Sequence, residues 1–136
     1  MAARVLPKLR KDIHQEPVKR GRRFYGCLCH LPDGRRVYLA RRKHSEIFRG
    51  GNKSIKAAVE SGEAAWAMDV DTVLRMIREG VHALGVYVLE THEIYLTDAA
   101  TWLKHSKIKN YERRGGALQR YLTFEHFRKS DAILKI

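Results

Sequence analysis

Phe24-Tyr25-Gly26-Cys27-Leu28-Cys29-His30-Leu31, then Pro32-Asp33-Gly34, then Arg36-Val37-Tyr38-Leu39-Ala40-Arg41 is the stretch that decides the fold class. The first run is rich in strand formers. Pro32 presets φ and Gly34 accepts positive φ, so the chain turns here by a local mechanism. In the return run Val37 and Leu39 alternate with Arg36, Tyr38 and Ala40, the period of a strand. The expectation is an antiparallel β-hairpin. Cys27 and Cys29 sit at i and i+2 and so share one strand face. No second Cys or Cys/His pair follows at zinc spacing, so two buried thiols are expected rather than a metal site.

Outward from the hairpin the chain becomes basic. Arg41-Arg42-Lys43 extends the return strand, and Arg49-Gly50-Gly51-Asn52-Lys53 reads as a flexible basic loop. On the other side, residues 1–20 read as an irregular basic arm, punctuated by Pro7 and Pro17, ahead of a single α+β domain over 21–136. Further on, Ser54 caps an expected helix over Ile55–Glu60, closed by Gly62. A second helical stretch is expected over Glu63–Met68. Asp69 or Asp71 caps a third over Thr72–Glu79, with Val73, Leu74, Ile77 and Val81 at helical spacing and Gly80 as terminator.

Leu84–Leu89 and Glu93–Thr97 read as two strands joined by Glu90-Thr91-His92. Thr97 and Asp98 start a helix over Ala99–Lys104. Lys104–Arg114 reads as a polar basic loop, Ala117–Leu122 as a last strand and Phe124–Phe127 as a helical turn. The expected fold class is therefore α+β, short helices with antiparallel β-hairpins joined by loops too short for crossovers.

Charge carries the functional expectation. The 136-residue chain has 27 Lys and Arg against 15 Asp and Glu, a net of +12. The surplus is segregated: residues 1–53 carry +11, residues 54–103 carry −5 and residues 104–136 carry +6. Phosphate backbones are the commonest polyanion in a cell, and counterion release favours binding them. The basic ends must then supply the contacts. Candidate contacts are Arg20, Arg22, Arg23, Arg41, Arg42, Lys43, Arg49, Lys53, Lys107, Lys109, Arg113, Arg114 and Arg120. Arg49–Gly51 and Arg114–Gly116 repeat an Arg-Gly-Gly tripeptide whose freed amides suit phosphate oxygens. Tyr38 and Tyr111, beside basic runs, are candidates for stacking on bases. Trp66 and Trp102 are expected in the core.

Residues 63–105 resemble the winged helix-turn-helix of excisionase and MerR-type DNA-binding proteins. The resemblance rests on Glu63-Ala64-Ala65, on Thr72-Val73-Leu74-Arg75-Met76-Ile77-Arg78-Glu79-Gly80, on the hairpin Gly85–Thr97 and on the helix Asp98–Leu103. It implies that Thr72, Arg75 and Arg78 face the major groove, with the hairpin as wing. It also implies a regulatory or accessory role in a mobile element or phage.

A different class of reading starts from the acidic middle. Asp69, Asp71, Glu90, Glu93 and Asp98 would hold Mg²⁺ if they converged, with His92 or His44 as base, giving a metal-dependent nuclease. In a third reading the acidic middle pairs with the basic end of another copy, giving a homo-oligomer. No apolar run approaches the ~18 residues that span a bilayer, and no secretory signal is visible. The expectation is a cytoplasmic protein that binds nucleic acid, duplex DNA favoured, with no membrane partner and no cofactor outside the nuclease reading.

Overall fold

The computed structural model describes residues 6, 9–20, 23–43, 65–111, 117–123 and 126–130. The hairpin forms as read. Strands β2 (Arg23–His30) and β3 (Arg36–Arg42) pair antiparallel, with Gly26 opposite Ala40 and His30 opposite Arg36. The turn closes through Gly34 N to Leu31 O (3.0 Å) and Leu31 N to Arg35 O (2.9 Å), with Gly34 at φ 91°. Asp33 Oδ1 accepts from Arg35 N at 2.9 Å.

Strand β1 (His14–Arg20) precedes β2 and pairs with it along its whole length. The arm expected over residues 1–20 is thus corrected over its second half. β1 is a sheet edge, where Pro17 removes no needed donor. Leu6, Leu9 and Ile13 are buried, and the Gln15 amide holds Leu6 by its N–H (2.7 Å) and its carbonyl (3.1 Å).

The second correction concerns Glu63–Met68. Its described part is not helical: Ala65–Asp69 is strand β4. Helix α1 follows at Val70–Arg78, burying Val73 and Met76. It ends as the glycine predicts: Gly80 has φ 78°, Gly80 N reaches Ile77 O (3.0 Å) and Val81 N reaches Met76 O (3.2 Å), a Schellman closure.

Next come β5 (Ala83–Val88) and β6 (Ile94–Asp98), antiparallel across the Glu90–His92 turn. Helix α2 (Ala99–His105) starts on Asp98, whose side chain accepts from Thr101 N at 2.7 Å. These hydrogen bonds hold the Asp98 carboxyl below its usual range. The basic loop expected from Lys104 to Arg114 is corrected: Lys107–Tyr111 is strand β7. β8 (Ala117–Thr123) forms as expected, and a two-residue β9 (Arg128–Lys129), unforeseen, closes the described order.

The sheets are two. A six-stranded one runs β1-β2-β3-β5-β6-β9 and a three-stranded one β4-β8-β7. The hairpins β2–β3 and β5–β6 are antiparallel as expected in an α+β fold, and they join at the centre through a parallel pair, β3 and β5, with Val37 opposite Ala83 and Arg42 opposite Val88. The connection between them passes through β4 and α1, long enough for a crossover. Both faces of the large sheet are covered. On one, Leu28, Tyr38, Leu84, Val86 and Val88 pack with Val73, Met76, Trp102, Leu122 and Phe127. On the other, Cys27, Cys29, Val37, Leu39, Tyr87 and Ile94 pack with Leu6, Leu9 and Ile13. Two-sided burial explains the near-continuous apolar runs of β2, β3 and β5. Each fully buried aliphatic side chain contributes about 1.5–3 kcal/mol.

Burial raises both thiols, Cys27 to about 11 and Cys29 further, as the expected inert core residues. Trp102 is core as expected, donating to Leu84 O at 3.4 Å. Tyr38 is not available for stacking: it is 1% exposed and lies over Gly26.

Candidate nucleic-acid interface

Strand order brings distant basic residues to one end of the large sheet. β1 ends and β2 begins where Arg20 pairs with Arg23. Beyond the Gly26–Ala40 pair, β2 reaches back to Arg23, and β3 runs on to Arg41 and Arg42, followed by Lys43. The Arg20–Arg23 pair and the end of β3 therefore occupy the same sheet end. Arg41 and Arg42 are half-buried, Lys43 is exposed, and Arg42 Nη1 donates to Arg41 O at 2.9 Å.

The parallel neighbour β5 ends here too, since Leu89 N donates to Arg42 O (3.0 Å). The turn after it holds Glu90, exposed, and His92, at φ 57°. Tyr87 Oη, from the buried face, is 2.5 Å from His92 Nδ1 and fixes the ring. Glu93 accepts from Tyr95 Oη (2.9 Å) and lies 3.5 Å from Lys129 Nζ. Partial burial pulls the Glu93 carboxyl upward, but hydrogen bonds from Thr91 and Tyr95 and the Lys129 ammonium outweigh it and hold the carboxyl low. Glu93 is thereby committed to neutralising a cation of its own chain.

The opposite sheet end is mixed in charge and internally paired. His30 Nε2 is 3.1 Å from Glu16, Arg35 pairs with Asp33 (2.7 Å) and Arg36 donates to Glu79 O. Asp98 also belongs there, opposite Ala83 at the start of β5. Its expected convergence with Glu90 and Glu93 is corrected, because the length of β6 lies between them, about 3.3 Å per residue. Asp71 lies in the first turn of α1, and Asp69 ends β4 opposite Gln119. Among the described residues no group of three or more His, Cys, Asp or Glu is placed to hold a metal ion.

The remaining candidates divide. Arg75 and Arg78 are exposed on α1, Arg75 at 3.5 Å from Glu79 one turn on. Lys107 and Lys109 lie on β7, opposite Tyr121 and Gln119, and Arg120 lies on β8 between Met68 and Ile108. Arg22, Arg49, Lys53, Arg113, Arg114 and His44 fall outside the described residues, and with them both Arg-Gly-Gly loops and the Ile55–Glu60 helix.

Three partners escaped the sequence reading. Lys129 belongs to a two-residue strand, too short for any periodic signal. Ser106, which accepts from Arg120 Nη1 at 3.0 Å, is 14 residues away from it. Tyr87 reaches His92 across a hairpin that was legible, and that pairing was within reach of a register argument. No family model, curated protein or solved structure matches the chain. No helix among the described residues is long and apolar enough to cross a membrane.

Proposed function

We propose that the protein is a non-enzymatic nucleic-acid-binding protein, duplex DNA favoured, that grips phosphates with the basic end of its large sheet. One observation carries the reading. The strand order β1-β2-β3 gathers Arg20, Arg23, Arg41, Arg42 and Lys43 at one end of the large sheet. Like charges held together favour a polyanionic partner that releases counterions. The arrangement needs no helix in a groove. The roles that the winged helix-turn-helix resemblance implies for Arg75 and Arg78 concern sequence choice, and a mobile-element or phage role follows only with them.

The test is fluorescence anisotropy of the full chain against labelled duplex DNA, single strands and structured RNA over a salt series. Steeply salt-dependent binding, tightest for duplex DNA, is expected. Absence of binding to all three at low salt overturns the reading. Incubation of plasmid with Mg²⁺ or chelator separates binding from cutting, and Mg²⁺-dependent nicks would replace this reading by a nuclease.

A further inference from the structure

We propose that Arg120 and Ser106, with the cations beside Ser106, form a binding site for a single phosphate group on the small sheet. The proposal rests on the nucleic-acid reading only for what carries the phosphate.

Arg120 stands on the middle strand of β4-β8-β7, opposite Met68 on one side and Ile108 on the other. Two residues along the same strand face, Leu122 is 1% exposed and part of the core. An arginine at such a position needs partners for its donors. Its Nη1 has one, Ser106 Oγ at 3.0 Å, and Ser106 in turn donates to Trp102 O, the last carbonyls of α2 being capped there. Its Nε has none: the atom is buried and no described group accepts from it.

An unmet buried N–H is costly, and nothing in the described chain supplies the acceptor. The occupied Nη1 lies on the other edge of the guanidinium. The Nε–H and the adjacent Nη2 make the side-on fork that matches two oxygens of an oxyanion. Arg120 as a whole is half-buried: part of it meets solvent, although Nε itself is covered.

Surrounding charge selects phosphate over carboxylate. The segment from Ala99 to Ser106 contains Lys104 and His105 and not one Asp or Glu, whereas Lys107 adjoins Ile108, the register partner of Arg120, and so takes the other sheet face. Lys104 and His105 are exposed just before Ser106, and His126 stacks on His105 at 5.0 Å between ring centroids. The nearest acidic position in the sheet register is Asp69, opposite Gln119 rather than Arg120. Such a field favours the more highly charged anion.

The test follows the Arg Nε–Hε signals of the full chain by ¹H–¹⁵N NMR while inorganic phosphate, and then a short DNA duplex, is titrated at constant ionic strength. The Arg120 signal is assigned by its loss in Arg120→Lys. A saturable shift of that signal with phosphate, absent with chloride, is expected. Arg120→Lys keeps the charge but not the fork, and phosphate affinity falls at least about tenfold. Ser106→Ala leaves the fork but frees its orientation, and affinity falls roughly fivefold, the worth of one hydrogen bond. If phosphate shifts Arg120 and the duplex binds nowhere, the site stands and the nucleic-acid reading falls. If the duplex binds with the Arg120 signal unmoved, the reading stands and the site is refuted. An unmoved signal with both ligands refutes it as well.

Discussion

Changing Arg41, Arg42 and Lys43 together to Gln tests the basic sheet end by the salt dependence of binding rather than by affinity alone. The five residues Arg20, Arg23, Arg41, Arg42 and Lys43 share that end. If each neutralises one phosphate of B-DNA, log K falls with log salt at a slope of about −4.5. Between about 50 and 200 mM salt that is a loss of roughly 500-fold. With only Arg20 and Arg23 left the slope is about −1.8 and the loss roughly 12-fold. Phosphate contacts elsewhere add equally to both proteins, so the difference of about 2.7 in slope is the quantity at stake. Gln preserves much of the aliphatic stem that half-buried Arg41 and Arg42 pack with, and circular dichroism checks the fold. Anisotropy with a labelled duplex at four or more salt concentrations gives both slopes. A triple variant whose slope stays within about 0.5 of the parent refutes the reasoning, because those cations then touch no phosphate.

Gly85→Ala should lower stability by about 3 kcal/mol or prevent folding, since its Cβ would lie 2.0 Å from Tyr95 O, a backbone atom of the paired strand; urea unfolding measures it. Asp98→Ala should cost about 1 kcal/mol through loss of the α2 cap. Because the folded Asp98 carboxyl lies below its ordinary 3.8, its contribution is complete above that value and lost as pH falls through the lowered one. Asp98→Asn should keep the cap and flatten that acid limb of a urea-midpoint series. Cys27 and Cys29, buried and with Cys27 pushed up to about 11, should resist a thiol reagent at neutral pH until denaturant is added, then react together. Arg75→Ala with Arg78→Ala should leave affinity for random duplex nearly unchanged; a relaxed preference in a selected-site assay would show that α1 reads bases, and lost affinity for all sequences would place the main phosphate contacts there.

The elements that local chemistry specifies were legible in the chain. Pro32 and Gly34 make the β2–β3 turn, Gly80 ends α1 and Asp98 starts α2 through bonds spanning five residues or fewer. The hairpin β5–β6, the strand β8, the buried thiols and Trp102 were equally readable from pattern. What tertiary structure decided is whatever depends on a distant partner. Ala65–Asp69 has helical composition, yet pairing with Ala117–Thr123 makes it a strand, because the ladder with a distant partner outweighs local propensity in so short a run. Lys107–Tyr111 reads as a basic loop until β8 supplies its ladder, and His14–Arg20 reads as an arm until β2 does. The parallel join of β3 and β5 has no local signal, since two apolar strands buried on both faces do not announce their neighbours. The candidate sites follow the same division. Charge segregation named the basic ends, but strand order alone sets Arg20 and Arg23 beside Arg41, Arg42 and Lys43, and a contact over 14 residues ties Arg120 to Ser106. Composition fixes how much charge a chain carries; only the pairing of strands remote in sequence fixes which charges stand together.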